Sequence, residues 1–183
     1  MWTDEEFEQL EEEEHSLTLE EILLMLLLLE FLKSDIQKEL RDFYSRYGTD
    51  GVVSYQNARK HVSNKDHRSR MSVLLLFISS RFSNLLSDLE PHFNTLLSDV
   101  LSKENAFFVV DLDTDNLLFR EWGVDKANWL DRLRDDVELW DYYISTDIKR
   151  GMLKRESIDD ILKQLDKRFM SIGRILQRLV VTN

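Results

Sequence analysis

Apolar residues recur along this chain at intervals of three and four, the spacing that lines up one face of an α-helix. From Met25 the stripe runs through Leu29, Leu32, Ile36, Leu40, Phe43 and Tyr47, while Lys33, Asp35, Lys38, Glu39, Arg41 and Asp42 fill the other face. This predicts a long helix from about Ser16 to Thr18 through Tyr47, capped by a hydroxyl and opened by acids that suit its dipole. Gly48 and Gly51 end it, and Thr49-Asp50-Gly51 is turn chemistry. A short helix is predicted from about Ser54 to Val62. A second stripe, Val73, Phe77 or Ile78, Phe82, Leu85, Leu89, Phe93, Leu96 and Val100, predicts another long helix from about Asp66. Pro91 lies inside it. Its missing N–H and the restriction it places on Glu90 predict a kink or a break into two helices.

Further along, Phe107-Phe108-Val109-Val110 fits a short strand or a buried helical turn. With no second strand signal to pair with, helix is favoured, and residues 111–116 read as a loop. Trp129, Leu133, Val137, Trp140, Ile144 and Ile148 predict a helix over about 125–150, with Gly151 as its C-cap. Ser157 and Asp160 form a capping-box-like pair before a helix that buries Ile158, Ile161, Leu165 and Phe169. A last helix carries Ile172, Ile175, Leu176 and Leu179. The fold class is therefore all-α: an elongated bundle of about six helices over residues 16–183, preceded by an acidic and mobile leader at 1–15.

Composition agrees with a helical globular chain. It is 43% hydrophobic and 32% charged, with only 5 Gly and 1 Pro among 183 residues. There is no cysteine, which excludes disulfide frameworks and thiolate metal sites and fits a reducing compartment. The net charge of −11 lies entirely in the first thirty residues, which hold eleven acids and no Lys or Arg. The remainder balances 24 acids against 24 bases, so the body is no generic polyanion binder and the leader repels DNA. The apolar run Ile22 to Leu29 is bounded by Glu21 and Glu30 and is too short to span a bilayer, so no membrane partner is expected.

The sequence carries little that resembles catalytic chemistry. Asp111-x-Asp113-x-Asp115 opens like a calcium loop, but Trp122 stands where the bidentate Glu is needed and Asn116 replaces the turn glycine. His15, His61, His67 and His92 lack metal-ligand spacing. Adjacent carboxylates such as Asp135-Asp136 do not face each other on a helix. There is no Gly-rich phosphate loop and no nucleophile elbow. The expectation is a protein that is not an enzyme, with no metal, cofactor or small-molecule substrate. Trp129 and Trp140 fit the helical stripe and read as core. Trp122, beside Gly123, is the better interface anchor.

The most informative segment is residues 39–63. There Phe43, Tyr44, Arg46 and Tyr47 close a helix, a glycine turn follows, and Ser54, Tyr55, Ala58, Arg59 and Lys60 come next. Later blocks are Trp129, Asp131-Arg132-Leu133, Gly151, Ile158 to Leu162, Lys167-Arg168-Phe169 and Arg178 to Thr182. In order and spacing these resemble the helical N-terminal region of the minor head proteins of tailed bacteriophages, the head-morphogenesis family. The acidic leader departs from that pattern, as does the absence of the family's further C-terminal continuation after Asn183. The resemblance implies a virion protein, in the host cytoplasm before assembly. It would dock on the portal protein or other head proteins and contribute to head assembly and DNA packaging or ejection. The residues it singles out for docking are Tyr44, Arg46, Tyr47, Tyr55, Arg59 and Lys60, with Trp122 added from its loop position. Two alternatives stand beside it. One is a DNA-handling module using the basic cluster Arg59, Lys60, Lys65, Arg68 and Arg70, although direct DNA binding is not expected of a neutral body. The other is a prophage-encoded helical adaptor that binds a host protein.

Overall fold

The computed structural model describes the backbone of residues 4–108 and 126–181 and the side chains of residues 19–99 and 126–178. Among the described residues the regular elements are all helices: α1 (Asp4–Tyr47), α2 (Tyr55–Ala58), α3 (Arg70–Phe108), α4 (Trp129–Leu153) and α5 (Ile158–Val181). The chain is all-α, as its periodicity predicts. α1 packs on α3 and α5, and α4 packs on the same two helices, so the four long helices surround one core.

Polar clasps fix the direction of each pair. His92 meets Glu21 at 2.7 Å and Arg81 meets Asp35 at 3.6 Å, joining α3 to α1. The Ser79 hydroxyl donates to Asp141 at 2.7 Å between α3 and α4, and Phe93 stacks on Trp129 at 6.0 Å along the same seam. Arg168 donates to Asp147 at 2.8 and 3.2 Å between α5 and α4. Gln37 donates to Asp166 at 2.8 Å between α1 and α5, whose Gly173 lies against Leu26 and Leu29. Along every seam, numbers rise on one helix as they fall on the other, so all four neighbours are antiparallel.

The predicted stripes supply the core. Met25, Leu29, Leu32, Ile36, Leu40 and Phe43 of α1 are buried, as are Ile78, Phe82, Leu85, Leu89, Phe93 and Leu96 of α3. Leu133, Val137, Trp140, Ile144 and Ile148 of α4 close it, with Ile161, Leu165, Phe169, Ile172 and Leu176 of α5. Within α3, Arg70–Asp99 is by length and composition apolar enough to cross a membrane. Here its stripe packs into the bundle.

Several boundaries differ from the sequence expectation, each for a physical reason. α1 starts at Asp4, not near Ser16 to Thr18, because glutamate is a good helix former and acids suit a helix N-terminus. α2 is a single turn, and α3 starts at Arg70. α3 continues through Pro91 without a break. Buried Leu89, Phe93 and Leu96 hold the two sides of the proline in one packed stripe, which outweighs one lost backbone hydrogen bond. α5 runs unbroken through Gly173. This second continuity leaves five helices among the described residues in place of about six. Of the apolar residues at the end of α5, Ile172 and Leu176 are buried and Ile175 is 38% exposed. Ala106 to Phe108 are helical, as favoured, whereas Val109, Val110, the Asp111–Asn116 loop and Trp122 lie outside the described residues.

Gly151 is the most instructive correction. It does not cap α4, which runs on to Leu153 and is capped by Lys154. A Cβ at Gly151 would sit 2.7 Å from two side-chain carbons of Ile161, so the glycine lets α4 and α5 approach closely there. Gly151→Ala forces Ile161 or the helices to shift. Thermal or denaturant unfolding should show a loss of about 1–3 kcal/mol, the usual cost of overpacking. An unchanged midpoint would mean that the seam can yield.

Candidate functional site

Antiparallel packing brings the C-termini of α1 and α4 and the N-termini of α3 and α5 to one end of the bundle. Two chain reversals meet there. After α1, Thr49 and Val52 exchange both backbone hydrogen bonds, at 2.9 and 3.1 Å, around Asp50 (φ 54°) and Gly51 (φ 75°). Positive φ at both central residues makes this a type I′ turn, which Asp-Gly favours. Gly48 precedes it because a Cβ there would strike the Tyr44 carbonyl oxygen. Val52 then pairs as an isolated antiparallel bridge with Ser157, in the reversal between α4 and α5.

That second reversal is a Schellman motif. The Glu156 N–H donates to the Gly151 carbonyl at 3.0 Å, and the Arg155 N–H donates to the Met152 carbonyl at 3.1 Å. The residue between the helix and its exit adopts the left-handed conformation that usually selects glycine, yet it is Arg155, with φ 57°. Ser157 caps α5 as expected. Its hydroxyl accepts the Asp160 N–H at 3.2 Å and lies 2.8 Å from the Asp160 carboxylate.

Asn57 ties the remaining strands of the corner together. Its side-chain amide donates to the Tyr47 carbonyl, its oxygen accepts from the Arg70 guanidinium at 2.7 Å, and its backbone N–H donates to Ser54 Oγ at 3.1 Å. The Arg70 guanidinium lies over the Tyr47 ring at 4.2 Å, and Tyr47 meets Phe43 edge-on at 5.0 Å. Residues 60–70 form a closed loop: the Val62 N–H donates to Arg68 at 3.0 Å and the Arg70 N–H to Lys60 at 2.9 Å. The outer side of these elements is a shallow cleft of about 420 Å³ lined by Tyr47, Thr49, Asp50, Val52, Ser54, Asn57 and Arg155.

The elements around this cleft expose more cations than acids, the exposed acids being Asp50 in its lining and Asp159 and Asp160 at the start of α5. Arg46, Arg59, Lys60, Lys65, Lys154 and Arg155 are exposed. Arg59 reaches over the half-buried Tyr55 ring at 5.9 Å. Of the expected docking residues, Arg46, Tyr47, Tyr55, Arg59 and Lys60 therefore belong to one corner. Tyr44 does not offer its ring to a partner: it is 5% exposed and its hydroxyl lies 3.5 Å from the Glu156 carbonyl, so it is a core strut. The alternative basic cluster is partly neutralised. Arg68 holds Asp66 through two donors, at 2.7 and 3.0 Å, and these bonds keep the Asp66 carboxyl at a pKa of about 2. Arg70 is spent on Asn57 and Tyr47. Only Arg59, Lys60 and Lys65 of that set remain exposed without such partners.

Asn57 and Arg155 were not legible as site residues. Asn57 acts on positions ten and thirteen residues away, and Arg155 follows a glycine that looked like the end of its helix. The chain matches no protein-family model, no curated protein and no solved structure.

Burial first, and the nearby Glu156 second, push the Tyr44 phenol well above its ordinary range. The native state then keeps a proton that the unfolded chain releases near pH ~10. Stability is unaffected by Tyr44 below that pH and falls as pH rises above it, until the native phenol titrates. Tyr44→Phe should flatten this alkaline limb in unfolding measured from pH 8 to pH 11. An unaltered slope would remove Tyr44 from the account.

Proposed function

We propose that this chain is a non-enzymatic minor head protein of a tailed bacteriophage, which docks at the portal vertex through the cationic corner and contributes to head assembly and DNA packaging or ejection. The observation that carries the reading is a convergence. The motif residues Tyr47 and Ser54 line one cleft with Arg155, about a hundred residues away in sequence, and Tyr55, Arg59 and Lys60 follow Ser54 on and just after α2. Nothing about closing a bundle requires exposed Arg and Lys side chains to gather at one such corner. A partner with an acidic surface does.

The partner in this reading is the portal protein or another head protein, and the location is the head interior or portal vertex after a period in the host cytoplasm. No cofactor, small-molecule substrate or membrane enters it. Protein is favoured over DNA as the partner because Arg68 and Arg70 already have partners within the corner. The few bases left give little counterion release, and affinity for duplex DNA depends on that release.

The test is a paired comparison in infected or assembling cells. Arg59→Glu with Lys60→Glu should abolish incorporation into heads while unfolding shifts by only a few tenths of a kcal/mol, the usual scale for exposed charges. Arg155→Gly provides a second arm. Glycine relieves the left-handed backbone, so stability should rise by about 1 kcal/mol, while incorporation falls because a cleft cation is lost. Native-like variants that enter heads at the normal level would refute the corner as the docking surface.

A further inference from the structure

A second surface lies about 30 Å along α1 from the corner, counting 1.5 Å per residue from Tyr47 back to Leu27. Here the helix is apolar on both sides. Met25, Leu29 and Leu32 face the core, yet Leu19, Leu23, Leu24, Leu27 and Phe31 stand 46%, 65%, 44%, 48% and 60% exposed on the opposite face. α3 and α5 cover the two flanks of α1, through Glu21 and Asp35 on one side and Gln37 on the other, and leave this face turned outward. Five large apolar side chains in one continuous ridge are more than scattered surface hydrophobics, and a helix apolar all round is normally covered all round.

The charges on the same helix identify what covers it. N-terminal to the ridge α1 carries acids and no base, the run Glu11–Glu14 among them, and the charged residues exposed within the ridge's span, Glu20 and Glu30, are acids as well. C-terminal to it, Lys38 and Arg41 are exposed on the ridge side. The pattern along the helix is acidic, apolar, basic. It complements itself when turned end for end. We infer that α1 pairs antiparallel with α1 of a second copy of this chain, about a two-fold axis near Leu27. In that register Leu23 of one copy meets Phe31 of the other. Arg41 comes opposite Glu13 of the second copy, and Lys38 comes opposite Ser16, about one helical turn from Glu12 and Glu13. A parallel pair would set acids against acids and bases against bases, which like-charge repulsion disfavours. A two-fold interface uses one patch on both partners, as this one does. The inference is independent of the docking corner, which stays free at both ends of the pair.

The full chain has no cysteine, so single introduced cysteines report the geometry directly. Purified protein should sediment at twice the chain mass, and Leu27→Glu should return it to the single-chain mass with helicity and unfolding midpoint unchanged. Under mild oxidation Leu27→Cys should couple to itself. Leu23→Cys should not, because two copies of position 23 lie about 12 Å apart along the axis and a disulfide needs its Cα atoms within about 7 Å. A mixture of Leu23→Cys and Phe31→Cys should couple to each other. A chain that sediments as a monomer at every concentration tested overturns the inference, and so does Leu23→Cys coupling to itself as readily as Leu27→Cys. Monomers that bind phosphatidylcholine vesicles through this face would assign it to lipid and overturn it equally.

Discussion

The structure depends on burying four apolar stripes at once. Four helices can do this in a ring only if the chain reverses direction sharply between sequential neighbours, and here two reversals fall at the same end. Sharp reversals concentrate backbone groups that have left their helices, and those groups must be paired. The type I′ turn at Asp50-Gly51, the Schellman motif at Arg155 and the Val52–Ser157 bridge do that pairing among themselves. Asn57 serves the end of α1, the cap of α2 and the start of α3 with a single side chain. The candidate site is built from the solution to a packing problem.

What could be read from the sequence followed from local physics. The stripes of α1, α3, α4 and α5 were legible because helical spacing and burial are the same fact seen twice. The Asp50-Gly51 turn and the Ser157 cap were legible because each satisfies its own neighbours. Of the kink or break expected at Pro91, the break does not occur, because the proline's cost is local while the packing of Leu89 and Phe93 that holds the helix together is not. Gly151 misled because a glycine near a helix end has two explanations, conformational freedom and close approach. Only the position of Ile161 across the seam decides between them. Tyr44 and Tyr47 lie three residues apart on one helix, yet burial makes the first a strut and leaves the second half-open to the cleft. No spacing rule separates those two.

Positions that break a local preference carry information of their own. Asp50 and Arg155 both hold positive φ, but they are not equivalent. Aspartate is among the residues that tolerate the left-handed region, and Asp-Gly is the ordinary filling of a type I′ turn. Arginine at the exit of a Schellman motif is unfavourable relative to glycine and gives the fold nothing back, because its side chain points to an open cleft and not into the core. Strain that stability does not repay is the kind that function retains.

The same logic applies to the distribution of charge. A net charge of −11 suggests a molecule that avoids acidic surfaces, but that charge is confined to the first thirty residues and the body is neutral. α1 therefore carries its acids toward one end and delivers its last base, Arg46, to the corner at the other. Fields of opposite sign separated along a helix act as an oriented dipole beyond contact distance, although salt limits their reach to about a Debye length, ~8 Å at physiological ionic strength. An antiparallel α1 pair would bring Lys38 and Arg41 of each copy toward the acidic stretch of the other and leave both corners exposed.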